Sequence, residues 1–165
     1  MPKKPVPWPG PDFTAVVRSE LDSLVRSLGF ELVVSESGER NKSNPQVRYR
    51  WNDVNLQVEW DPWDCLLEVQ LGPRFHMKDV VPRVIVHTHF QFYLEAMNLP
   101  DTAPTYEEFQ EARGEPEPQW RRAMMALKST LPEVILRYSE IRPLTEQVAS
   151  RRLPNLVLLA PCGEA

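Results

Sequence analysis

Apolar residues recur every three or four positions from Phe13 to Leu28, which predicts the first helix. Phe13, Val16, Val17, Leu21, Leu24, Val25 and Leu28 form one stripe, while Arg18, Asp22, Ser23 and Arg26 face away. Asp12 is placed to cap its start, and Gly29 followed by Phe30 is a helix-stop signature. The period then drops to two. Phe30, Leu32 and Val34 alternate with Glu31, Val33 and Ser35. After a polar loop from Ser37 to Pro45, Val47, Tyr49 and Trp51 alternate with Arg48 and Arg50. Val54, Leu56, Val58 and Trp60 form a third strand with Asn55, Gln57 and Glu59 between them. Cys65, Leu67, Val69 and Leu71 form a fourth, opposite Leu66, Glu68 and Gln70.

Two turns join the last three strands. Asn52-Asp53 is a two-residue hairpin turn whose residues tolerate left-handed backbone, and Asp61-Pro62-Trp63-Asp64 is a β-turn with proline second. These turns pair Trp51 with Val54 and Trp60 with Cys65. Tyr49, Leu56 and Val69 then share an apolar row; Arg48, Gln57 and Glu68 form one polar row, and Arg50, Asn55 and Gln70 another. The outcome is an antiparallel meander with one buried and one polar face, the first helix covering the buried one.

Beyond Gly72 the pattern is helical but interrupted. A helix is expected over 79–98, with Pro82 in its first turn, although Val80 to Tyr93 is also rich in strand-forming residues. Thr105 to Glu108 reads as a capping box opening a short helix that Gly114 ends, and Glu115-Pro116-Glu117-Pro118 as a stiff acidic connector. Trp120, Met124, Leu127, Leu131, Val134, Tyr138 and Ile141 keep helical spacing, with Pro132 expected to kink or split the run and Pro143 to end it. Leu144 to Arg152 suggests a further short helix, and the run 156–160 an edge strand, a docked segment or a loose one.

Composition narrows the class. The chain has 165 residues, 17 of them proline against 6 glycine, which excludes one long helix and fits many short elements with stiff joints. Five prolines fall within residues 1–11, expected as an extended flexible tail. No apolar run approaches a membrane span, and the N-terminus lacks the apolar stretch of a secretory signal, so a cytoplasmic protein without membrane attachment is expected. A net charge of −4 argues against nucleic-acid binding, although arginine outnumbers lysine 14 to 5; Arg121-Arg122 and Arg151-Arg152 have acidic neighbours and read as solvated helix faces.

Candidate chemistry is sparse. His76, His87 and His89 are the only set with metal-ligand character, the basis of an alternative reading as a small metal-dependent hydrolase. A His-x-His pair shares an ion on a strand, but on the expected helix the two rings point about 200° apart, and ordinary structural histidines are the simpler reading. Cys65 at a strand start reads as a buried small hydrophobe, and Cys162 lies in a tail; with two cysteines there is no disulfide framework. No G-x-S-x-G turn or glycine-rich phosphate loop occurs. Neither a catalytic set nor a cofactor is expected. Trp63, in a turn between Asp61 and Asp64, has the composition of a binding hot spot, although a turn tryptophan folded back onto the sheet is somewhat more common.

The order of helix, Leu28-Gly29-Phe30 stop, Val47-x-Tyr49 strand, hairpin and Trp60-Asp61 turn resembles short bacterial proteins of unknown function. These include immunity-type proteins that neutralise toxins of competing cells. The resemblance is one of layout over Phe13 to Leu71, and it implies a non-catalytic protein that binds another protein. The sequence thus predicts an α+β fold: an N-terminal helix packed on a four-stranded antiparallel meander, followed by a helical C-terminal half. Residues 1–11 are read as a flexible tail, 12–152 as the single domain and 153–165 as a C-terminal tail. A cytoplasmic interaction module is expected to use Arg48, Arg50, Gln57, Trp63 and Glu68 toward a protein partner. Self-association into a homo-oligomer is compatible with this reading.

Overall fold

The computed structural model describes residues 4–10, 12–37, 44–73, 84–85, 88–99, 111, 114–152 and 157–158. Helix α1 spans Phe13–Ser27, and the Asp12 carboxylate accepts from Thr14 N at 3.1 Å to cap it. At its far end Gly29 N donates to the Arg26 carbonyl and Phe30 N to the Val25 carbonyl. That pairing satisfies two orphan carbonyls and requires the left-handed Gly29, whose φ is 90°. The buried stripe is Phe13, Thr14, Val17, Leu21 and Val25.

Four antiparallel strands follow as a meander: β1 (Glu31–Glu36), β2 (Gln46–Trp51), β3 (Val54–Asp61) and β4 (Leu66–Pro73). A short β6 (Thr88–His89) adds a fifth strand beside β4, and β5 (Val84–Ile85) pairs in parallel with β7 (Val157–Leu158) in a separate two-stranded sheet. Helix α1 lies over β1 and β2, and α3 (Pro116–Leu136) over β4. Between these helices and the sheet, Val17, Leu21, Tyr49, Leu56, Trp60, Leu71, Leu127 and Leu131 are buried. Each such aliphatic side chain contributes about 1.5–3 kcal/mol. On the other side of the C-terminal half, α2 (Phe90–Ala96) packs on α4 (Tyr138–Arg152). Among the described residues, no helix is long and apolar enough to cross a membrane.

The α+β layout agrees with the sequence pattern, and the β2–β3 register matches at Trp51↔Val54 and Tyr49↔Leu56. The β3–β4 register differs. Asp61 pairs with Leu66 and Trp60 with Leu67, so every β4 partner moves by two residues. The cause is the loop: Cys65 is no strand residue but sits in the turn with φ 50°, which carries the four-residue connection one position further along. A shift of two keeps each side chain on its expected face but changes its neighbours. The apolar row becomes Tyr49, Leu56 and Leu71, and Glu68 leaves Gln57 to face Glu59. In β1, a bulge between Leu32 and Val34 breaks the alternation, so Leu32 faces Tyr49 while Val34 faces Arg48.

The C-terminal half departs further. Among the described residues of the expected helix over 79–98, Phe90–Ala96 is helical, whereas Val84–Ile85 and Thr88–His89, of β-branched or strand-compatible type, form β5 and β6. The acidic Glu115 to Pro118 segment is no connector but the cap and first turn of α3, where proline lacks a hydrogen the helix would leave unpaired anyway. Helix α3 runs through Pro132 unsplit, and Pro143 lies inside α4. The break falls at Arg137, whose φ of −105° and ψ of 15° leave the helical range. The capping box at 105–108 lies outside the described residues; Gly114 has the left-handed φ of 93° that a helix stop requires. At the N-terminus, residues 4–10 of the segment expected as a flexible tail carry Trp8 into contact with the core.

Candidate functional site

The β3–β4 turn is fixed from three sides. The Asp61 carboxylate Oδ1 accepts from Trp63 N at 2.8 Å and from Asp64 N at 3.0 Å, so the side chain substitutes for a backbone turn acceptor. The Pro62 carbonyl accepts from Val6 N at 2.7 Å. Beneath the turn, the wholly buried Gln119 of α3 donates Nε2 to the Cys65 carbonyl at 2.9 Å and accepts from Leu67 N at 2.8 Å. Gly114 N also donates to the Cys65 carbonyl, at 3.0 Å. On this clamped loop Trp63 is 50% exposed. A rigid backbone holding a large, half-exposed indole loses little order on binding.

The polar sheet face leads directly to this turn. Its row nearest the turn runs Glu36, Gln46, Glu59, Glu68 across β1 to β4. Directly opposed carboxylates repel, and here amide donors hold them. Glu59 accepts from Asn44 Nδ2 and from Gln57 Nε2, each at 2.6 Å; Glu68 accepts from Gln70 Nε2 at 3.0 Å; Glu36 accepts from Gln46 Nε2 at 3.2 Å. With Asp61 and Asp64, this makes the Trp63 end of the sheet acidic.

The expected site residues therefore divide. Arg48 and Gln57 meet: Nε and Nη2 of Arg48 donate to Gln57 Oε1 at 3.0 and 2.8 Å, and Gln57 is buried between its neighbours. Arg50, half-buried, lies across from Glu31 on one side and Asn55 on the other, further from the turn. Glu68 belongs to the acidic row, and Trp63 stands beyond it on the turn. The row was missed because it depends on the β1 bulge and the two-residue shift in β4.

A second feature invisible to spacing is a cleft of about 500 Å³ between Trp51–Val54 and Ile135–Ser139. Leu136 beside it is 84% exposed, and Tyr138 packs edge-on to Trp51 at 6.4 Å. Burial pushes the Tyr138 phenol well above the ordinary tyrosine range, so it stays protonated near neutrality. The sequence reading expected the break between Trp120 and Ile141 at Pro132, and so could not place this elbow at Arg137.

His76 and His87 lie outside the described residues. His89 is on the short strand β6, not on a helix, so the expected helical argument against a shared metal does not apply to it. Its ring lies edge-on to Phe92 at 5.5 Å, its Nδ1 is buried without a partner, and burial holds the imidazole below the usual histidine range. Among the described residues, no group of three or more His, Cys, Asp or Glu side chains is placed to hold a metal ion. No family model, no curated protein and no solved structure matches this chain.

Proposed function

We propose that this chain is a non-catalytic protein-interaction module of the cytoplasm, contacting its partner through Trp63 and the acidic end of the sheet. The half-exposed indole on a turn held by Asp61, Val6 and Gln119 carries this reading, because a preorganised aromatic anchor is what concentrates binding energy at protein interfaces. The row of Glu36, Glu59 and Glu68 beside it selects a basic partner surface with an apolar pocket, and it disfavours phosphate-bearing nucleic acid. The layout resemblance over residues 13–71 would make that partner a toxin neutralised by an immunity-type protein.

The test is quantitative affinity isolation from cells that express the protein, comparing wild type with Trp63→Ala. The expected result is a partner retained by wild type and weakened about 30-fold by the variant, the equivalent of a 2 kcal/mol hot spot. Identical recovery with both proteins, together with turnover of a small molecule by the pure chain, would refute the proposal.

A further inference from the structure

Residues 4–10 occupy a site built by the rest of the fold. The Trp8 ring meets three aromatic walls in edge-type geometry: Phe13 of α1 at 5.1 Å, Trp60 of β3 at 5.4 Å and Trp120 of α3 at 5.4 Å. Contacts of this kind are worth about 0.5–1.5 kcal/mol each beyond area burial. Both backbone polar groups of Val6 are engaged, its N–H with the Pro62 carbonyl at 2.7 Å and its carbonyl with Trp60 Nε1 at 2.9 Å. The prolines at 5, 7 and 9 bring no N–H that would need a partner and stiffen the segment in an extended form.

The walls do not depend on this segment for their positions. Elements α1, β3 and α3 are held together by Val17, Leu21, Leu56 and Leu127, all fully buried. With the segment in place Trp60 is fully buried, and the Val6 carbonyl supplies the acceptor that its indole N–H needs, since a buried donor without one costs about 1–3 kcal/mol. Two residues before the α1 cap, Gly10 takes a φ of 91° with open space where a Cβ would stand, giving the segment a pivot.

We infer that the groove walled by Phe13, Trp60 and Trp120 is a recognition site for an extended peptide carrying tryptophan between prolines, and that residues 4–10 are its ligand in cis. Aromatic walls around a proline-stiffened strand, with an indole donor to a ligand carbonyl, match the way proline-rich peptides are recognised. The inference goes beyond the Trp63 surface and does not depend on it. It also ties the two, because the Val6 bond closes on Pro62, the residue beside Trp63. A short tether gives the cis segment an effective concentration on the order of millimolar. A partner's segment of ordinary affinity thus binds well only where the cis copy is loosened.

The experiment titrates a labelled synthetic peptide with the sequence of residues 4–10 into full-length wild type and full-length Trp8→Ala, read by fluorescence anisotropy. The expected result is one-to-one binding to the variant at least tenfold tighter than to wild type, abolished when the peptide's own tryptophan is replaced by alanine. No binding to a folded Trp8→Ala chain at millimolar peptide, or equal binding to both chains, would overturn the inference. Should Trp8→Ala not fold, Val6→Pro removes the N–H to Pro62 and leaves Trp8 in place; tighter peptide binding than wild type supports the site, and no increase counts against it. A wild-type dimer that forms on concentration and is competed away by the peptide would also support the site, with a second copy as the trans ligand.

Discussion

Gln119 shows how much of this architecture rests on single polar atoms. It is fully buried, yet both ends of its amide serve the β3–β4 turn, one taking Leu67 N and the other giving to the Cys65 carbonyl. The Cys65 carbonyl also accepts from Gly114 N, but leaving Leu67 N unpaired would cost about 1–3 kcal/mol, so the turn that carries Trp63 is coupled to the packing of α3. His89 is the opposite case, a titratable ring buried without a partner at Nδ1. Burial lowers its pKa from the ordinary 6.5, so the folded chain holds it neutral while the unfolded chain protonates it as pH falls. The stability this contributes is in place above about 6.5 and is lost progressively below it, until the folded-state pKa is reached. Urea denaturation at pH 7.5 and 5.5 checks this. Wild type should lose up to about 1.4 kcal/mol more than His89→Gln over that interval, and equal losses would contradict it.

At the scale of elements, Gly29 combines two constraints. Its φ of 90° disfavours any side chain, and a Cβ there would lie 3.3 Å from Trp51 Cδ1. Gly114 has nearly the same angle, 93°, with nothing within 4 Å. Gly29→Ala is therefore expected to cost about 1–2 kcal/mol from the backbone plus a packing term that Gly114→Ala lacks. Thermal unfolding should show the larger fall at position 29; an equal fall would mean that Trp51 yields freely. Helix α1 and strands β2 to β4 were legible because their 3.6 and 2.0 periods survive in the sequence and the Asn52-Asp53 turn sets β2 against β3, whereas the β1 bulge leaves no such mark. The two-residue shift in β4 was not, because parity is conserved by it and the left-handed Cys65 is an unusual residue for that conformation. Nor was the elbow at Arg137, since neither Pro132 nor Pro143 marks it: each stands inside a helix.

For the whole molecule, the functional reading depends on how separate pieces converge on one end of the sheet. The N-terminal segment holds Pro62, α3 holds Cys65 and Leu67, and the meander supplies the acidic row from Glu36 to Glu68. The sequence singled out Trp63 from its turn composition and placed Arg48, Gln57 and Glu68 on the right face. It could not show that the carboxylates gather at the tryptophan end, since that depends on register. Trp63 contributes little to the core, so the Trp63→Ala chain should keep wild-type stability within about 0.5 kcal/mol, which lets a binding defect be read as such. The most direct test places a photo-crosslinking residue at position 63 in living cells, with the exposed Glu140 of α4 as the control position. The account predicts a discrete crosslinked protein from position 63 and none from position 140. No crosslink from 63, or the same products from both positions, would contradict it.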